Sequence, residues 1–184
     1  MATTNVEIVN LALMYLGEPA IVSLSGSQKA QVLAAYFEQA RDEALSQDSW
    51  SFATKRKRLN RLTDVENLTE YSFVYSRPSD TLRVLKLTDR FPYVIEENRI
   101  FTDDPEPILR YVYRVENPTM FPVFFIEVVA TNLARKIATS LVQSPQLAMQ
   151  MDQAYRVALA LARRYDQESQ VSTEEVPDGW GDVF

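Results

Sequence analysis

The hydrophobic period of this chain changes twice, and that change sets its fold class. Apolar residues recur every three or four positions near the start, follow short β-type runs in the middle, and return to the wider spacing near the end. The wider spacing belongs to amphipathic helices and a period of two to half-buried strands. Helices on either side of consecutive strands predict an α+β protein: a four-helix bundle-like domain with a mostly antiparallel β subdomain inserted between helices two and three.

Local signals place the elements. Thr4-Asn5-Val6-Glu7 has the form of a capping box, and Ile8, Val9, Ala12, Leu13 and Leu16 then share a helical face ended by Gly17 and Pro19. Ser25 to Gln28 offers a second cap, before a helix carrying Leu33, Phe37, Ala40 and Ala44 to about Gln47. β-type runs follow at Tyr71–Tyr75, Leu82–Leu87, Tyr93–Ile95, Arg99–Phe101 and Ile108–Val115, with a tight turn at Glu96 to Asn98. The last run alternates, with Leu109, Tyr111, Tyr113 and Val115 on a buried face and Ile108, Arg110, Val112 and Arg114 on a wetter one. Phe121, Phe125, Val128, Val129, Asn132, Leu133, Ile137 and Leu141 predict a third helix to about Gln143, with Pro122 in its first turn. With Phe124 added, that helix is apolar on nearly all sides, which implies a central position or a subunit contact. Ser144-Pro145 caps a fourth, whose apolar face includes Leu147, Met151, Tyr155, Ala158, Leu161, Ala162 and Tyr165. The expected organisation is therefore a helical domain of 1–53 plus 117–168, a β subdomain of 54–116, and an extended acidic tail of 169–184.

Composition narrows the chemistry. Among the 184 residues there is no Cys and no His. Disulfides, thiol nucleophiles, Ser-His catalysis and zinc sites of thiolate or imidazole are excluded. The four glycines, Gly17, Gly26, Gly179 and Gly181, form neither a Walker loop nor a GxGxxG turn. No cofactor is expected. No apolar run is long enough to span a membrane, and no secretion signal is expected at the N-terminus. The net charge of −6 disfavours general nucleic-acid binding. That charge is concentrated: Asp166, Glu168, Glu174, Glu175, Asp178 and Asp182 lie in a final stretch without a base, whereas Lys55, Arg56, Lys57, Arg58 and Arg61 lie in one without an acid.

The ordered pattern also resembles a known family. Its parts are Ile8 to Leu13 with Leu16-Gly17-Glu18, Ile21 and Ser23-Leu24; Ala30, Tyr36 and Ala40 to Glu43; Trp50-Ser51-Phe52-Ala53 and the basic stretch to Leu59; and Tyr113 to Val115 with Met120-Phe121-Pro122, Ala130 and Ala134-Arg135. Over roughly residues 5–165 this is similar to the tail tubular protein A family, the head-to-tail adaptors of short-tailed bacteriophages. The resemblance implies a structural virion protein of the tail neck, assembled in the host cytoplasm. It implies a ring, typically of twelve copies, between the portal protein and the tail nozzle protein, with DNA passing through transiently and without specific binding. It also implies a helical domain with an inserted β domain, and a terminal segment reaching onto the portal.

Each candidate site has an ordinary reading beside the functional one. Trp50 and Phe52 are core anchors or a subunit contact. Lys55, Arg56, Lys57, Arg58 and Arg61 line a lumen or meet a neighbour's acids, or else are the charges of a solvated edge strand. Val176, Pro177, Trp180, Val183 and Phe184 are apolar anchors in an acidic tail expected to be disordered alone, suited to docking on the portal. The catalytic alternative is a carboxylate-based peptidoglycan hydrolase drawing on Glu18, Glu38, Asp42, Glu43, Glu96 and Glu97. No pair of these is singled out by its surroundings, and Asp103-Asp104-Pro105 lacks the spacing of a calcium loop. No enzymatic activity is expected.

Overall fold

The computed structural model of the protein describes residues 3–88 and 91–171. It is an α+β fold of four helices and two small antiparallel sheets. Helix α1 (Asn5–Tyr15) opens on the capping box: the Thr4 hydroxyl accepts from the Glu7 N–H at 3.2 Å, and the Thr4 N–H donates to the Glu7 carboxylate at 2.8 Å. Its end is a Schellman turn, with the Gly17 N–H on the Met14 carbonyl, the Glu18 N–H on the Leu13 carbonyl, and Gly17 at φ +70°. The loop that follows is held by Asn10, whose side-chain amide donates to the Ile21 carbonyl at 2.9 Å and accepts from its N–H at 2.8 Å.

Helix α2 (Gln28–Ser46) is capped by the Ser27 hydroxyl. Helix α3 (Val123–Ser140) begins just after Pro122 and ends earlier than the apolar spacing predicts. Gln143 takes a left-handed φ of +55° there, and the Ser144 hydroxyl accepts from the Leu147 N–H to start α4 (Pro145–Val171). Helix α4 runs three residues past the expected tail boundary, since nothing in Ser169 to Val171 breaks a helix. Helix α3 packs against α1, α2 and α4. Its Val128, Val129, Leu133 and Ile137 are completely buried, so its all-round apolar character belongs mainly to a central helix.

Between α2 and α3 the described residues form seven strands: β1 (Thr54–Arg58), β2 (Arg61–Leu62), β3 (Phe73–Ser76), β4 (Thr81–Lys86), β5 (Tyr93–Glu96), β6 (Arg99–Thr102) and β7 (Ile108–Tyr113). All pairings are antiparallel, but chain neighbours are not always partners. One sheet has the order β1-β7-β4 and the other β2-β3-β6-β5. The expected hairpin is β5–β6, joined by Glu97 and Asn98. Strand β7 is buried on both faces over part of its length: Val112, expected on the wetter side, is completely buried. Sheet β1-β7-β4 leans on the C-terminal half of α2, where Arg83 donates to the Ser46 carbonyl at 3.1 Å and Arg114 pairs with Asp42 at 2.8 Å. Buried residues of helices and strands form one continuous cluster, so the β segment is an insertion in chain order that shares its core with the helices.

Candidate interaction surfaces

The turn from α2 into β1 is where helices and sheet are joined. Trp50 is completely buried, and its indole N–H donates to the Ala44 carbonyl near the end of α2 at 3.0 Å. The Phe125 ring lies edge-on to it at 5.2 Å. Phe52 is half-buried, 4.8 Å from Phe125 and 6.2 Å from Phe121. Such edge-to-face clusters add to simple area burial. Trp50 and Phe52 thus face inward onto α3 and are not a free surface. One turn of α4 reinforces the joint: Asp166 binds Ser51, and Arg163 pairs with Asp48 at 2.9 Å.

The five clustered cations are divided rather than gathered. Lys55 to Arg58 lie in β1, an edge strand, while Arg61 lies in the other sheet with its guanidinium 4.4 Å from the Phe73 ring centre. Along β1 the side chains alternate. Lys55 lies opposite Tyr111 and Lys57 opposite Leu109; Arg56 lies opposite Arg110 and Arg58 opposite Ile108. Lys55 is 3.4 Å above the Tyr113 ring and 3.3 Å from Asp80, and Arg58 pairs with Glu106 at 2.6 Å. Pairs this exposed contribute little stability and serve chiefly to keep the edge from mispairing.

An apolar surface that the sequence reading places in the core lies outside it. On α4 the buried arc is Tyr155, Ala158, Leu159, Ala162 and Asp166. Val157, Leu161 and Tyr165 are 50, 49 and 52% exposed. Spaced four apart, they form a stripe beside the buried arc. Leu161 and Tyr165 were expected inside because their spacing matches the apolar face; that face is wider than the part of α4 which α3 covers. The stripe continues onto α3, where Phe124 stacks on Tyr165 at 6.1 Å and the adjacent Val123 is 84% exposed.

The candidate carboxylates are mostly engaged. Glu18 pairs with Lys29, Asp42 with Arg41 and Arg114, and Glu43 with Arg135 and Lys136. Glu96 and Glu97 stand exposed at the β5–β6 turn, and Glu38 shares an open depression with Asn5, Arg41, Asp42, Arg114 and Glu116. The resolved pKa shifts fall elsewhere. Burial, then the Glu127 carboxylate beside it, raises Tyr15; burial, then Asp80, pushes Tyr111 up to about 12. Asp103 is lowered by the Ser72 backbone N–H and hydroxyl that donate to it.

Sequence reasoning missed the polar hub of the helices. Arg135 of α3 reaches Glu43 of α2 and Asp152 of α4, lies 4.7 Å from the Tyr155 ring, and donates to Asn132 at 2.7 Å. Asn132 is completely buried and donates to the Ala40 carbonyl at 2.8 Å. The signal available was a buried-face Asn three residues before an Arg, with an acid on the preceding helix.

Among the described residues, no group of three or more His, Cys, Asp or Glu is placed to hold a metal, and no helix is long and apolar enough to cross a membrane. Val176, Pro177, Trp180, Val183 and Phe184 lie outside the described residues. No protein-family model and no curated protein matches this chain.

Proposed function

We propose that this protein is a structural component of a phage virion, a head-to-tail adaptor that assembles as a ring between portal and tail nozzle and lets DNA pass through its middle. The observation that carries the reading is the exposed apolar stripe of Val157, Leu161 and Tyr165, continued by Phe124 and Val123. A contiguous apolar stripe of this kind, bordered by charged residues, suits contact with another protein surface. In a ring each copy uses it against a different surface of the next, a heterologous contact that closes after a fixed number of copies. The order of motifs resembling tail tubular protein A supports the same reading. The acidic tail, with Trp180 and Phe184 as anchors, is then the segment that meets the portal.

The test is mass by light scattering, with and without the matching portal ring. A chain that joins portal in a large stoichiometric complex supports the adaptor. A monomer indifferent to portal overturns it. Removal of residues 172–184 is expected to weaken portal binding and leave the body folded.

A further inference from the structure

One face of sheet β1-β7-β4 carries three cations in a single register. Arg56 of β1 lies opposite Arg110 of β7, and Arg110 lies opposite Lys86 of β4. Residues opposite one another share a face, and like charges placed so repel. Arg56 and Arg110 have no ion pair among the described residues, although Lys55 and Arg58 on the same edge hold Asp80 and Glu106. The row borders a shallow depression of about 310 Å³, floored by buried Leu87 and flanked by exposed Ile108. A face of this kind fits an anionic peptide with an apolar anchor.

The chain contains such a peptide. Residues 172–184 hold Glu174, Glu175, Asp178 and Asp182 without a base, and carry Trp180 and Phe184. The start of that segment is nearby. Helix α4 ends at Val171, and Asp166 in its last turns binds Ser51, which shortly precedes β1. The rise of helix and strand puts Arg56 at most about 35 Å from Val171. Thirteen extended residues, to Phe184, span about 43 Å and eleven, to Asp182, about 36 Å, so the end of the segment reaches the row. We propose that residues 172–184 dock in cis on the sheet face bearing Arg56 and Arg110, the Asp182 carboxylate relieving the repulsion of the row and Phe184 resting towards Ile108. The inference concerns the free chain and does not depend on the ring reading.

The absence of cysteine makes the test clean. A nitroxide on Gly181→Cys in the full chain is expected to abolish the amide signals of Arg56, Ile108 and Arg110, independently of protein concentration. About 1 M salt, which screens charge beyond about 3 Å, restores them. The double change Arg56→Gln and Arg110→Gln also restores them. So does a tail with Glu174→Gln, Glu175→Gln, Asp178→Asn and Asp182→Asn, which leaves the folded body untouched. Signals unaffected by the label, lost at another surface, or lost only as concentration rises, would each overturn docking in cis.

Discussion

Asp166 holds Ser51 twice over, although 115 residues separate them: the Ser51 hydroxyl donates to its Oδ1 at 2.6 Å, and the Ser51 backbone N–H lies 3.1 Å from both carboxylate oxygens. Asp166 is buried. The contact ties the end of α4 to the turn that starts the sheet. Removing the carboxylate leaves a partly buried N–H without its charged acceptor. Asp166→Ala should therefore cost about 1.5–3 kcal/mol, a fall in Tm of roughly 3–12 °C for a chain of this size. Ser51→Ala keeps the backbone donor and should cost clearly less. Equal losses for the two variants in thermal unfolding would contradict this account.

The Arg135 hub makes a second, differential prediction. Arg135→Leu deprives Glu43 of one partner, Asp152 of another and buried Asn132 of its donor at once. A loss of about 2–3 kcal/mol is expected by urea unfolding, because a broken network leaves several polar groups unsatisfied. Arg135→Lys should recover only part of it, since a point charge cannot fork to both acids. Arg156→Ala, which removes an exposed pair with Asp152 one turn away, should stay within about 0.5 kcal/mol of the parent.

Alkaline pH offers a third test. Tyr111 donates to the Asp80 carboxylate at 3.1 Å, and burial followed by that charge pushes its pKa up to about 12. Burial raises Tyr15, Tyr75 and Tyr155 as well. A raised pKa means that the folded state holds the phenolic proton more tightly than the unfolded chain, where tyrosine titrates near 10. The associated stability is complete below about pH 10 and is lost as pH rises towards about 12. Urea unfolding across that window should show a falling stability, with a shallower fall in Tyr111→Phe. A parallel fall in that variant would remove Tyr111 from the account.

These relationships were unequally legible beforehand. The four helices could be read because each is bounded by local chemistry: the Thr4–Glu7 box, Gly17 at a positive φ, the Ser27 cap and the Ser144-Pro145 stop. The five β-type runs were legible for the same reason. Their partnership was not, since β1 finds β7 about fifty residues later and nothing local in Thr54–Arg58 announces it. Strand β1 is all charge beyond Thr54, and only its place at a sheet edge makes it a strand. The candidate surfaces divide likewise. Trp50 was legible as an anchor because a large aromatic beside a helix end has few other uses. The α4 stripe was not, because spacing alone cannot say how wide an arc the neighbouring helix covers. The register of Arg56 with Arg110 and Lys86 exists only once the strands are paired.

The stripe yields the prediction closest to function. Leu161 and Val157 are half exposed and flank the buried arc of α4 without filling it. A charge at either position meets solvent in the isolated chain, so Leu161→Glu and Val157→Glu should alter stability by no more than about 0.5 kcal/mol. In an assembled ring the same charge would be forced into an apolar contact without a partner, which costs several kcal/mol per interface and is repeated at each one. The expected outcome is an unchanged Tm together with loss of assembly on portal by light scattering. Tyr165→Glu is a poorer probe, because Tyr165 stacks on Phe124 within the chain and its loss also disturbs the α3–α4 pair. Assembly that survives both Leu161→Glu and Val157→Glu would place the subunit contact on another face and remove the chief support for the ring.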